Sequence, residues 1–295
     1  MQRKTLLQYV GSLLALAGVV FVGSRINAYS SQIDLRSFDA PTWILVVGLM
    51  VVYAAGSVLL GFAWWRLLHA IGCASTALWA VRTYGISQLS KYVPGNVFHL
   101  AGRQALAMAI GLPAGKVAKT ALTELALISV AGATYGLIVL PVVVPKVPVG
   151  IGIVLFLCGV LFIGIFTGRV FNRYITKAYL YQTGFLLLSG LVFLVVMLIT
   201  TEVVISFETA VGVIGAYIVA WLAGLVTPGA PAGIGVRELV LVFLIGSVFS
   251  ESEIIMSIVM ARLVTIGGDL LFWIFSMHMM KNVSRTIDNP TSNIP

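Results

Sequence analysis

The sequence predicts an all-α polytopic membrane protein with about six full transmembrane helices and two broken re-entrant helix pairs. Three observations predict it. Of 295 residues, 60% are hydrophobic and only 9% are charged, with a mean hydropathy of +1.06, far too few charges to cover a soluble domain of that size. The apolar residues fall in runs near the ~20 residues that a helix needs to cross a bilayer. Two stretches interrupt this pattern with polar side chains and helix breakers, residues 89–103 (LSKYVPGNVFHLAGR) and 225–238 (LVTPGAPAGIGVRE). Each holds a Pro-Gly pair and an arginine nine residues after the proline, Pro94 to Arg103 and Pro228 to Arg237. Interrupted backbone is tolerated at membrane depth only against protein or along a wet cavity, so both stretches are candidate interior sites.

The first expected span covers residues 6–22, after Arg3 and Lys4. Its flanks resemble a signal peptide, but no small-residue cleavage site precedes the polar stretch 25–42, and it reads as a retained helix. A second span, 43–65, ends at Arg66 and His69 with Trp64 and Trp65 at interface depth. Residues 75–90 are too short and polar for an ordinary span; after the Pro94-Gly95 break a second short helix follows over 96–110, capped by Asn96 and ended by Gly111 and Pro113. The third span, 117–140, carries Glu124 and the small pair Gly132 and Gly136. Pro141, Pro145 and Pro148 form a turn, and spans four and five cover 149–167 and 180–199, with Arg169, Arg173 and Lys177 between them. The Gly-rich segment 209–225 and a short segment from Gly233 and Gly235 to 248 form the second broken pair. A last span, 254–278, carries Arg262 and Asp269, and residues 281–295 form a polar cytoplasmic tail. Cys73 and Cys158 lie in or beside apolar segments and read as buried thiols with no disulfide.

Lysine and arginine placement sets the orientation. With the amino terminus cytoplasmic and each broken pair returning to its own side, Arg3, Lys4, Arg66, Lys116, Lys119, Arg169, Arg173, Lys177, Lys281 and Arg285 lie inside, and Arg25, Arg36 and Lys146 outside. The positive-inside rule favours this drawing, with both termini cytoplasmic in a multi-pass protein of the cytoplasmic (inner) membrane. Residues 1–280 then form one transmembrane domain whose halves, 1–140 and 149–278, each read span, span, broken pair, span. Three full spans reverse direction, so the second half is inverted relative to the first, the pattern of transporters with a central site. The net charge of +8 comes from single basic residues between apolar runs, not from the contiguous stripe that nucleic acid requires.

YGISQLSKYVPGN with Gly102-Arg103, Thr123-Glu124, and PGAPAGIGVRE up to Glu238 together resemble the transmembrane region of lysylphosphatidylglycerol synthases and its free-standing, flippase-like relatives. The resemblance covers nearly the whole chain. The run from Pro228 to Gly233 departs from the Pro-Gly-Gly common in that family, while Arg237 and Glu238 stay in place. The resemblance implies lipid handling: in the full-length synthases a soluble domain makes an aminoacylated phospholipid and the membrane region moves it to the outer leaflet. Residues after the last span leave no room for an aminoacyl-transfer domain, so the expectation is the translocating part alone. Relatives of this size also occur with polysaccharide and glycolipid pathways, which makes synthesis enzymes of such pathways candidate partners.

The residues themselves point to an anion. Arg103 and Arg237 offer guanidinium forks suited to a phosphate and stay charged when buried; helix starts at Asn96 and Gly233 add backbone N–H groups; Lys91 and Arg262 contribute further positive charge. Tyr84, Ser87, Gln88, Tyr92 and His99 supply hydrogen-bonding groups for a polar headgroup track. The structural alternative pairs Arg103 with Glu124, and Arg237 with Glu238 or Asp269, as ion pairs that hold the bundle. Either way Glu124, Glu238 and Asp269 balance neighbouring cations, or one of them exchanges protons to couple transport.

The function expected is translocation of an anionic phospholipid or lipid-linked glycan between leaflets. An enzyme acting on a lipid-phosphate substrate and a non-transporting scaffold of a lipid or polysaccharide synthesis complex are the alternatives. HExxH, paired cysteines, GxSxG and a phosphate-binding glycine loop are all missing from the sequence, and His69, His99 and His278 are too far apart for a local metal motif; no cofactor or metal is expected.

Overall fold

A computed structural model describes residues 39–73, 75–92, 98–144, 146–227 and 235–288, with side chains to residue 279. The fold is all-α, a six-span polytopic membrane protein. Ten helices follow one another along the described chain: α1 Ala40–Ala70, α2 Ala77–Gln88, α3 Phe98–Ala109, α4 Ala114–Thr134, α5 Gly136–Val143, α6 Val149–Val170, α7 Arg173–Thr200, α8 Phe207–Val226, α9 Val236–Ile245 and α10 Glu251–Asp288. A single 3-10 turn, Leu89–Tyr92, extends α2.

Local chemistry starts these helices where it should. The exposed Asp39 caps α1, its Oδ1 accepting from the Thr42 backbone N–H at 3.1 Å and the Thr42 hydroxyl at 2.5 Å, and these bonds hold its carboxyl below the usual range. Pro41 sits in the first turn, where its missing N–H costs nothing. Thr76, Asn172 and Ser206 cap α2, α7 and α8 in the same manner. Gly235 precedes α9 with φ +84°, a conformation in which a Cβ is strained.

Among the described residues, six helices are long and apolar enough to cross a membrane: Ala40–Ala70, Ala114–Val143 (α4 and α5, divided at Tyr135), Val149–Val170, Arg173–Thr200, Phe207–Val226 and Glu251–Met279. Their membership differs from the sequence expectation. The span at 6–22 lies outside the described residues, and the sixth among those described is α8, which sequence reading treats as a short broken arm. Its glycines suggested weakness, yet Gly212 and Gly215 face Val142 and Val139, whose methyl carbons lie 2.6 and 2.7 Å from where a Cβ would stand. They permit close helix approach instead of ending the helix. At 20 residues α8 is about 30 Å long, the thickness of the hydrocarbon core.

The broken segments are therefore unequal. In the first, α2 and α3 have 12 residues each, about 18 Å apiece; in the second, full-length α8 precedes α9 of 10 residues. Residues 93–97 and 228–234, with both Pro-Gly pairs, Asn96 and Gly233, lie outside the described residues. At the carboxyl end, α10 continues as helix through Asp288, so the expected polar tail begins helically.

The core lies where α1, α7 and α10 pack together, around Tyr53, Trp64, Phe185, Phe193 and Phe272, all at most 4% exposed. α2 lies against both α1 and α10. In contrast α6 buries only Gly152 and Thr167 and turns Leu157, Leu161 and Phe162 outward, as a lipid-facing helix does. Cys158 on this helix is exposed, contrary to the buried thiol expected, while Cys73 is buried.

Gly61 shows how closely the first broken arm docks. A Cβ there would stand 2.8 Å from the Val81 Cα of α2, backbone that cannot swing aside. Gly61→Ala is expected to cost about 1–3 kcal/mol and lower the thermal unfolding midpoint in detergent. Gly48→Ala, on the same helix with nothing within 4 Å, is expected to leave the midpoint unchanged or raise it, since alanine favours helix by ~1 kcal/mol.

Candidate functional site

Both broken segments border one cavity inside the bundle, of about 120 Å³. Its wall takes Tyr53 from α1, Tyr84 and Gln88 from α2, Lys91 and Tyr92 from the 3-10 turn, His99 from α3, Glu124 from α4, Tyr217 and Trp221 from α8, Arg237 from α9 and Arg262 from α10. Leu60, Ile128, Phe185 and Leu225 supply apolar wall. Most of the polar residues singled out in the sequence thus meet in one place. Arg103, Glu238 and Asp269 stand immediately behind the wall, each bonded to a lining residue, while Asn96 lies outside the described residues.

Three ion pairs organise these groups. Arg103, 2% exposed, donates from Nη2 to Glu124 Oε2 at 2.7 Å, and its guanidinium lies over the Tyr84 ring with Cζ 4.1 Å from the centroid. The Tyr84 hydroxyl donates to the other Glu124 oxygen at 3.0 Å, and Gln182 Nε2 donates to the Glu124 carbonyl at 3.2 Å. Asp269, wholly buried, takes Lys91 Nζ at 2.7 Å, Gln88 Nε2 at 3.3 Å and a short hydrogen bond from the Tyr92 hydroxyl. Arg262 donates to Glu238 Oε1 at 2.7 Å.

Two of the pairs are related by charge exchange. In the first broken region the arginine is on the short helix (Arg103, α3) and the carboxylate on the following long one (Glu124, α4); in the second the carboxylate is on the short helix (Glu238, α9) and the arginine on the long one (Arg262, α10). Sequence reasoning anticipated Arg103 with Glu124 but gave Glu238 or Asp269 to Arg237. Both are taken by other cations. Spacing from a proline fixes where a residue sits along its helix, not which neighbouring helix its side chain meets.

Arg237 is left without a carboxylate among the described residues. It is half-buried, its Nε is buried with no hydrogen-bond partner, and its Cζ lies 5.9 Å from the Trp221 ring centroid. Residues 93–97 and 228–234 contain no Asp or Glu. Around the cavity four cations (Lys91, Arg103, Arg237, Arg262) therefore face three carboxylates (Glu124, Glu238, Asp269). His99 Nδ1 is another buried atom of the cavity wall with no partner among the described residues, and Arg103 Nη1 and Glu238 Oε2 behind the wall are two more. Arg237 lines the cavity, whereas Arg103 does not and reaches it only through Glu124 and Tyr84.

Tyr53, Tyr217 and Trp221 are wall residues that the sequence reading did not select. Their signal is present: Tyr217 and Trp221 are four residues apart on one helix face, and Tyr217 stacks on Phe193 with ring centroids 4.4 Å apart. Single aromatics in apolar spans are so common that the signal is weak without contacts.

The described residues contain no cluster of three or more His, Cys, Asp or Glu able to hold a metal. The arrangement instead provides buried fixed donors, one uncompensated positive charge and apolar flanks, the requirements for holding an anionic group out of water. In comparisons with known proteins, no family model matches the chain and no curated protein matches it.

Breaking a buried pair and removing an uncompensated charge have opposite signs. Arg103→Gln strands Glu124 and is expected to destabilise the protein by about 3–5 kcal/mol. Arg237→Met removes a half-buried charge that has no carboxylate, and is expected to leave the apoprotein equally stable or ~1 kcal/mol more stable. Thermal unfolding of the two variants in one detergent compares them; a large loss for Arg237→Met would show that this arginine is a structural pair partner.

Proposed function

We propose that this protein translocates an anionic phospholipid or a lipid-linked glycan between the leaflets of the cytoplasmic membrane. The observation that carries the reading is Arg237, a cation beside a polar cavity at membrane depth, with a buried, unpartnered Nε and no carboxylate among the described residues. A charge in that position costs free energy unless something compensates it, and a phosphate carried through the bilayer is a compensating group. The motif resemblance to the transmembrane region of lysylphosphatidylglycerol synthases supports the same reading.

In this mechanism the headgroup exchanges its water for fixed donors between the two broken segments, while the chains stay in the bilayer. The cavity of about 120 Å³ is small beside the ~300–1,000 Å³ of common ligand sites, so a whole headgroup passes only when short helices such as α3 and α9 part from their neighbours. The Arg103–Glu124 and Arg262–Glu238 pairs span those contacts and close again behind the cargo. Binding and release then shift a closed–open equilibrium whose closed state is held by ion pairs.

The test is a leaflet-accessibility assay in proteoliposomes, with candidate phospholipids and polyprenyl-phosphate glycans. Arg237→Ala is expected to slow movement about tenfold or more, a loss of ~1.4 kcal/mol of transition-state stabilisation, while remaining folded. Gly235→Val is expected to impair both transport and stability because of its positive φ; with no neighbour within 4 Å the cost is backbone strain, not crowding. Equal movement by wild type and Arg237→Ala overturns the proposal, and a new chemical species formed from the lipid assigns an enzyme instead.

A further inference from the structure

We infer that the cavity selects a singly charged phosphodiester over phosphomonoester and diphosphate groups. The inference rests on the translocation reading and narrows it. It follows from what remains unused around the cavity. Lys91, Arg103 and Arg262 are each held 2.7 Å from a carboxylate, and the Tyr84 and Tyr92 hydroxyls already donate to Glu124 and Asp269. Two lining side chains keep a buried nitrogen with no partner among the described residues, Arg237 at Nε and His99 at Nδ1.

A phosphodiester carries one negative charge on two non-bridging oxygens. It neutralises Arg237 and offers one acceptor to Arg237 Nε and one to His99 Nδ1 in the tautomer that protonates that nitrogen. A phosphomonoester near neutral pH carries close to two charges, and a diphosphate two or more, on a larger set of acceptor oxygens. The excess charge meets no further lining cation without a carboxylate among the described residues, and it lies against Glu124, a lining carboxylate whose two oxygens are already occupied. Unpaired charge and unpaired acceptors are both unfavourable where water is scarce.

Glycerophospholipids and polyprenyl phosphosugars both present this diester, whereas glycans on a polyprenyl diphosphate do not. The full chain, purified in detergent, is titrated calorimetrically with dihexanoylphosphatidylglycerol, a short-chain prenyl phosphosugar, dihexanoylphosphatidic acid, farnesyl diphosphate and inorganic phosphate. Both diesters, or one of them, are expected to bind about tenfold or more tightly than the monoester and the diphosphate, a gap of ~1.4 kcal/mol. Which diester binds tighter identifies the source. Arg237→Gln is expected to level the order, and Arg237→Lys, which keeps the charge, to preserve it at lower affinity. Tighter binding of diphosphate or monoester overturns the inference and leaves an anionic-lipid translocator standing. Binding of no lipid, or of inorganic phosphate as tightly as any lipid, overturns both. The wild-type order decides the question even where a variant fails to fold.

Discussion

The structure depends on one constraint: a charge placed at membrane depth has to find its opposite there. Three ion pairs at 2.7 Å meet it, and each joins separate elements. Lys91–Asp269 fastens the 3-10 turn after α2 to α10, Arg103–Glu124 fastens α3 to α4, and Arg262–Glu238 fastens α9 to α10. The elements fastened are the short ones. They have 12 residues in each of α2 and α3 and 10 in α9, and isolated helices of that length are marginal even in favourable conditions. Ion pairs supply orientation where packing alone is thin, and the aromatic faces of Tyr84 and Trp64 under Arg103 add contact without requiring more hydrogen bonds.

This constraint also explains what was legible in the sequence. Arg103, Glu124, Arg237, Glu238, Arg262 and Asp269 stand out because charged residues in apolar runs are costly, and the cheapest arrangement gathers them on the protein interior. Their convergence on one cavity could be argued without coordinates. Partner choice could not. Asp269 is taken by Lys91 from a segment 178 positions away, with Gln88 and Tyr92 as further donors, and no local spacing encodes which of several interior cations reaches it first. The aromatic wall of Tyr53, Tyr217 and Trp221 was equally hidden, since an aromatic in a span serves lipid contact, core packing and ligand contact alike.

The helix boundaries were misjudged for a related reason. Gly212, Gly215 and Gly224 made the segment 209–225 look like a weak arm before the Pro228 break, yet α8 runs unbroken from Phe207 to Val226. In lipid, glycine loses less than in water, because backbone hydrogen bonds have no competing solvent and the missing side chain is what lets two helices approach. The Ile138 and Val139 side chains against Gly215 are the counterpart of that missing Cβ. Helix α6 was the opposite case: nothing but apolar length marks it, and a helix with two buried residues follows from hydropathy alone.

The two broken regions share a device and differ in its polarity. Arginine on the short helix with carboxylate on the long one becomes carboxylate on the short helix with arginine on the long one. With four cations and three carboxylates around the cavity among the described residues, one cation stays unmatched however they pair, and nothing in that count makes it Arg237. Exchange in the second region instead gives Glu238 to Arg262 and leaves the adjacent Arg237 with no carboxylate among the described residues. The unmatched charge sits on one arm, α9, which is the shortest helix to border the cavity and the one entered through Gly235 at positive φ. A glycine entry and an arginine with no carboxylate among the described residues thus fall together at the start of this short element, which buries only Leu241 and Ile245.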